Sequence, residues 1–221
     1  MVKGLVLEIE YLCECQSTQI KLIEDIKSFK KSPPCALIAD YQSNGIGSRA
    51  NSWQSPKGNL YLSFALNEND LPKDLEPASA SIYFAFILVL TLRDMGSKLW
   101  LKWPNDIYLG NRKIAGIITT KSKGVYICGI GMNLKNSPHY ADCLDIELNR
   151  DLIVDLYFKN LNLKPQWKQI FSKYLIEFEL SKNFRVHIDD EQVSLSGAIL
   201  QNDGSIIINN KRVYSARWVR L

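Results

Sequence analysis

The sequence predicts an α+β fold, a mixed β-sheet domain with packed helices over residues 1–180, followed by a small β domain over 181–221. Three observations carry this prediction. Strand-like and helix-like segments interleave up to about residue 180 without the strict alternation of a parallel α/β fold. The segment Ala78 to Met95 is apolar nearly all round, as a helix buried against a sheet must be. From Phe184 the chain turns into short strands parted by Asp189-Asp190, Asn202-Asp203-Gly204 and Asn209-Asn210.

The chain of 221 residues is 46% hydrophobic and 23% charged, enough apolar material for a sizeable core without disulfide staples. A net charge of +4 permits an anionic ligand but does not suggest broad nucleic-acid binding, which usually needs a strong basic face. The start, Met1 to Glu10, carries acids within its apolar stretch and does not read as a secretory signal. The apolar run Ile82 to Leu90 is too short to span a membrane. Five cysteines, an odd number with no Cys-x-x-Cys pair, argue against a disulfide frame or zinc site and fit a reducing cytoplasm. Cys13 and Cys15 read as small apolar packing on one face of an extended segment.

In order, Leu5 to Tyr11 alternates apolar and acidic residues toward its end, a strand pattern. Ser17 or Thr18 caps a helix from about Gln19 to Phe29, with Leu22, Ile23 and Ile26 inward. Cys35 to Ala39 is a buried strand. Gln42 to Gly58 is a loop, Asn59 to Leu66 a strand, and Ala78 to Met95 a core helix. Strands follow at Lys98–Lys102, Asp106–Leu109 and Lys113–Thr120, the last two joined by a Gly110-Asn111 hairpin turn. Val125 to Met132 is a strand, and helices lie near 150–160 and 166–179. Short strands at Arg185–Ile188, Gln192–Leu200, Ser205–Asn209 and Arg212–Trp218 make a barrel-like appendix.

Four segments could carry chemistry. The loop with Gly45, Gly47, Arg49 and Trp53 lets backbone N–H groups approach an anion, with a cation and an apolar wall beside it. Taken alone it reads equally as a surface loop. In Lys102-Trp-Pro-Asn-Asp106 a strand break brings a cation, an amide and a carboxylate together. Asp106 suits Mg²⁺ and Lys102 a phosphate, or the segment is a turn beside a packed Trp. Lys113 opens an apolar strand, either facing a pocket or snorkelling at a strand end. Gly129 and Gly131 leave room for a ring, with Asn133 nearby, or mark a tight crossing. His139 and His187 are isolated and read as surface residues, and no Walker loop or nucleophile–base pair emerges.

Taken together, Gln16-Ser-Thr-Gln19, the Gln42 to Ser63 loop and strand, Lys102-Trp-Pro-Asn-Asp106 with Arg112-Lys-Ile-Ala-Gly116, and Gly129-Ile-Gly-Met-Asn133 resemble the biotin protein ligases. The resemblance is strong over about residues 5–135. It implies a class II synthetase-like catalytic domain, an SH3-like C-terminal β-barrel, and a two-step reaction. Biotin and MgATP give biotinyl-5′-AMP, and a lysine of the biotin carboxyl carrier protein of acetyl-CoA carboxylase then takes the biotin. By position, the resemblance assigns Ser17, Thr18 and Gln42 to the biotin ring, and Gly45, Gly47, Trp53, Lys113 and Gly116 to biotin as well. It assigns Arg49, Asn51, Lys102, Asn105, Asp106 and Asn133 to ATP, with Asp106 on Mg²⁺. Lys113, Lys102 and Arg49 become the catalytic candidates.

The family commonly has Gly-Arg-Gly-Arg in the loop, whereas this chain has Gly45-Ile-Gly-Ser48. The resemblance therefore predicts weaker retention of the adenylate. With the first strand near residue 5, a ligase without an N-terminal DNA-binding domain is expected. A homodimer through a sheet edge is open. A lipoate-type ligase and a non-catalytic biotin-binding module are the competing readings.

Overall fold

A computed structural model describes residues 7–48, 51–188 and 191–214. The strands β1 (Glu8–Leu12), β2 (Cys35–Ala39), β3 (Leu60–Asn67), β4 (Trp100–Lys102), β5 (Asp106–Leu109), β6 (Arg112–Ser122) and β7 (Val125–Met132) form one sheet. Its order is β1-β2-β3-β7-β6-β5-β4. Only the β1–β2 pair is parallel; the other neighbours are antiparallel. The sheet is therefore mixed, as expected.

Strand alternation gives the sheet two unlike faces. Phe64, Leu62, Cys128, Ile130, Ala115 and Ile117 point to one face and into the main core. The helices α2 (Ala80–Asp94), α3 (Arg150–Asn162) and α4 (Trp167–Ser181) cover that face. Phe64 meets Phe84 and Phe158 edge to face, with centroids 5.3 and 5.4 Å apart. The segment Pro77–Asp94 is long and apolar enough to cross a bilayer by length and composition, but 78% of it is buried inside the protein.

The opposite face is covered only in part. There α1 (Thr18–Lys27) packs Leu22 against Leu37, Ala65 and Ile127. Ser17 caps it, its hydroxyl accepting from the Ile20 N–H. Beyond the first turn of α1, the positions that continue this face are Ser63, Gly129, Gly131, Ile118, Gly116 and Asp106. Where a second helix would need large side chains to rest on, the sheet offers glycines, and an open cleft results.

The remaining chain forms β8 (Arg185–Ile188) with β9 (Glu191–Ser194), and β10 (Ile199–Leu200) with β11 (Ile206–Ile208) and β12 (Lys211–Val213). The expected continuous strand from Gln192 to Leu200 is broken by a 3₁₀ turn at Leu195–Gly197. There Ser194 Oγ accepts from the Ser196 N–H, and Leu195 is wholly buried. Trp218, the end of the last expected strand, lies outside the described residues, as do Leu5 and Val6 at the expected start of β1. The core helix starts later than expected because Pro77–Ser79 adopts a 3₁₀ turn ahead of it. Cys13 is exposed and Cys15 half-buried, so they do not pack together as small apolar residues; Cys15 instead bridges to Gln42. Both histidines are exposed.

Candidate active site

The cleft encloses about 440 Å³ of space open to solvent. Its floor is glycine. A Cβ at Gly131 would lie 2.6 Å from Trp53 Cε2, and one at Gly129 would lie 2.7 Å from Gln19 Oε1. Gly116 stands opposite Gly131 on the neighbouring strand, and a Cβ there would touch both Trp53 and Lys113 at 3.4 Å. The flat indole thus rests directly on backbone.

Ser17, Thr18 and Gln19 bring the first turn of α1 to one end of the cleft. A chain of hydrogen bonds fixes this end. Ser63 Oγ donates to Thr18 Oγ1 at 2.9 Å, and Thr18 Oγ1 donates to Gln42 Oε1 at 3.1 Å. Gln42 Oε1 also accepts from the Thr18 N–H at 2.8 Å, while Gln42 Nε2 donates to Ser55 Oγ at 2.9 Å. Ser55 Oγ closes the chain on the Trp53 carbonyl. Gln19 Nε2 donates to the Ile127 carbonyl at 3.2 Å, which fixes the amide's orientation. Its Oε1 is then buried without a hydrogen-bond partner. An unpaired buried acceptor is costly, so a donor entering the cleft beside Gly129 would find an acceptor here.

The other end is charged. Lys113 Nζ lies 2.6 Å from Asp106 Oδ1 and 5.3 Å from the Trp53 ring centroid. Asp106 enters the cleft because Asn105 clamps its strand: Asn105 O accepts from the Ile117 N–H at 2.9 Å, and Asn105 Nδ2 donates back to Ile117 O. Pro104 sits in the β4–β5 turn, where no ladder hydrogen bond is required of it.

The loop over the cleft folds back on itself. The Trp53 N–H donates to Gly45 O at 2.8 Å, and the Gly47 N–H to Asn51 O at 2.7 Å. Gly45 is required by this closeness, since a Cβ there would lie 2.5 Å from both Ser55 Oγ and Trp53 O. Ile46 and Ser48 line the cleft.

Of the expected residues, Ser17, Thr18, Gln42, Gly47, Trp53, Asn105, Asp106, Lys113 and Gly116 share the cleft wall. Gly45 is buried behind the loop, and Asn51 is exposed at its outer side. Lys102 is buried at the end of β4, directly opposite Asp106. Its Nζ is 3.9 Å from Asp106 Oδ2 and lies over the rings of Tyr108 and Phe184. Asn133 is buried as well, with Nδ2 donating to Asp142 O at 3.1 Å. Arg49 lies outside the described residues.

Gln19 and Ser63 gained no role from sequence reasoning. Ser63 had a signal: it is the one small polar side chain within the apolar strand Leu60 to Leu66, on the face opposite Phe64. Gln19 had none beyond directly following Ser17-Thr18.

Comparison with known proteins agrees with this arrangement. The bifunctional ligase/repressor BirA of Escherichia coli is 36% identical over 128 residues, which are 53% of this chain and 38% of that protein. The biotin–[acetyl-CoA-carboxylase] ligase of Paracoccus denitrificans is 32% identical over 46% of this chain and 45% of its own length. The matches thus span less than half of these curated relatives. Among solved structures, the biotin acetyl coenzyme A carboxylase synthetase of Helicobacter pylori, with bound biotinylated ATP, is 40% identical. It superposes with a TM-score of 0.90 over 95% of this chain and 100% of that one. The biotin protein ligase of Aquifex aeolicus, in complex with biotin and ATP, shares the fold at a TM-score of 0.74. A cleft with a neutral polar end, a Lys–Asp pair and a glycine floor thus sits within residues 12–136, the stretch that matches the biotin/lipoate A/B protein ligase family, to which this chain belongs.

Proposed function

We propose that the protein is a biotin protein ligase that activates biotin with ATP and transfers it to a lysine of a carrier domain. The observation that carries the choice of biotin is the closed end of the cleft. Hydroxyls of Ser17, Thr18 and Ser63, the Gln42 amide and the unpaired Gln19 carbonyl line it. A cyclic urea offers N–H donors and a carbonyl acceptor to such a wall. The dithiolane ring of lipoate offers neither and would leave the Gln19 oxygen unpaired.

With the ring at the α1 end, the valerate chain runs over Gly129 and along the edge of the Trp53 indole seated on Gly131, and its carboxylate reaches Lys113. That carboxylate attacks the α-phosphorus of ATP and expels pyrophosphate, giving the acyl-adenylate. The amine of the acceptor lysine then attacks the acyl carbonyl and releases AMP. The Lys113 ammonium stabilises negative charge as it develops between carboxylate and phosphate. Trp53 covers the apolar chain and keeps water from the mixed anhydride. A nucleotide-borne Mg²⁺ usually takes one or two protein carboxylates, and Asp106 would supply one in the charged end. Among the described residues no group of three or more His, Cys, Asp or Glu gathers, so the metal would arrive with its nucleotide. The Asn105 amide, turned into the backbone of Ile117, holds Asp106 in place.

For Lys102 we propose that it adds positive charge beside Asp106, its cross-strand partner, and for Asn133 that it ties the start of the 133–145 segment to its later part. We read residues 181–221 as a distinct C-terminal unit and the carrier subunit of acetyl-CoA carboxylase as the acceptor. All five cysteines are unpaired, which supports a reducing compartment.

Biotin-dependent exchange of pyrophosphate into ATP tests the reading, with lipoate as the control acid. Exchange with biotin alone is expected. Exchange with lipoate at equal efficiency, or with neither acid, would refute it. The floor provides a second check. Gly129→Ala brings a methyl group against the pinned Gln19 amide, so biotin affinity measured calorimetrically is expected to fall about tenfold or more.

A further inference from the structure

The C-terminal strands reach the active site through a contact that the catalytic reading leaves unused. In the turn between β10 and β11, three consecutive carbonyls each accept from a different element. Asn202 O takes Trp167 Nε1 of α4 at 2.7 Å, Asp203 O takes Ser79 Oγ of the turn before α2 at 2.8 Å, and Gly204 O takes Trp103 Nε1 at 2.9 Å. The turn itself is stiff. Asp203 accepts from the Ser205 N–H and hydroxyl and pairs with Arg212 at 2.8 Å. Gly204 has φ +80°, and a Cβ there would lie 2.8 Å from Ile82 Cδ1. Val186, Leu195, Ala198, Ile206 and Ile208 join the main core, so this is not a loose appendage.

Trp103 is the residue between Lys102 and Pro104, and it is 1% exposed. Its own N–H donates to Ser181 Oγ at 3.0 Å. Two residues earlier, the Leu101 N–H donates to Glu177, whose other oxygen pairs with Arg93 at 2.6 Å. The β4–β5 turn is thus gripped from behind by α4 and by the 202–204 turn. On its front it presents Asn105 and Asp106 to the cleft.

We propose that Trp103 is a positioning residue for the charged end of the site. The Gly204 carbonyl, acting through the Trp103 indole, holds Asn105 and Asp106 at their working distance from Lys113. The consequence for phosphate chemistry rests on the ligase reading; the mechanical link does not. A buried indole N–H without an acceptor costs about 1–3 kcal/mol, so the bond has a real hold on the turn. A displacement of about 1 Å at a reacting centre is enough to cost up to 10²-fold in rate.

The clean test replaces Trp103 with 3-benzothienylalanine by codon suppression, which keeps the ring shape and removes only the N–H. Ser181→Ala is the companion variant. In exchange assays kcat is expected to fall about tenfold or more, with KM for biotin unchanged and biotin binding without nucleotide unchanged. Amide hydrogen exchange is expected to quicken over residues 103–107 and not in α1. A parallel loss of biotin binding and rate would mean a general structural role and would overturn the proposal. So would unaltered kinetics with unaltered protection. If the wild type itself catalyses no exchange with either acid, the ligase reading fails alone, and the protection pattern over 103–107 still decides the positioning claim.

Discussion

Lys113→Ala is expected to lower biotin-dependent exchange by about 10²–10³-fold, the scale seen when one preorganised donor to a developing oxyanion is removed. Among the described residues no neighbour is placed to compensate. Lys102 is the other cation among them near Asp106, but it is buried against Tyr108 and Phe184 and lies 3.9 Å from the carboxylate, against 2.6 Å for Lys113. In the variant Asp106 loses its 2.6 Å partner while remaining at the cleft, so only the more distant Lys102 offsets its negative charge where an anionic substrate must bind. Biotin affinity should therefore fall together with kcat. Full exchange activity in a folded variant would remove Lys113 from the first step.

The second large effect concerns the loop. Ile46→Arg/Ser48→Arg restores two cations at positions that line the cleft. Each charge-assisted hydrogen bond contributes roughly 1.5–3 kcal/mol, so the half-life of the bound adenylate is expected to lengthen at least about tenfold. The measurement is single-turnover release of labelled biotinyl-AMP in the absence of acceptor. Equal half-lives would show that Ile46 and Ser48 do not set retention. Overall turnover need not improve, because an intermediate held harder also passes on less readily.

Much of the fold was legible because its signals are local. Cys35–Ala39, Asp106–Leu109 and Val125–Met132 fall at their expected limits, bounded by turn residues on either side. Ser17 caps α1 as its side chain allows. The break at Leu195–Gly197 was not legible, since it comes from Leu195 reaching the main core, a long-range demand. The site divides the same way. Loop glycines, Trp53, Asp106 and Lys113 announced themselves by residue type and spacing. Gln19 did not, because its significance lies in an oxygen left unpaired once its nitrogen is bound to Ile127, 108 positions away. Lys102 stands directly opposite Asp106 across the β4–β5 pair, on the same face of the sheet, and Asn133 is held by the Asp142 carbonyl, partnerships that residue type alone does not announce.

The glycine floor has a genetic corollary. Glycine codons mutate by one base only to residues with a side chain, so every first-step change at Gly116, Gly129 or Gly131 fills space and none can create it. Drift at these three positions is therefore one-directional, toward a shallower site. A lineage that came to use a bulkier acid could not gain depth here. It would have to recruit room from the walls, by trimming Trp53, Ile118 or Gln19.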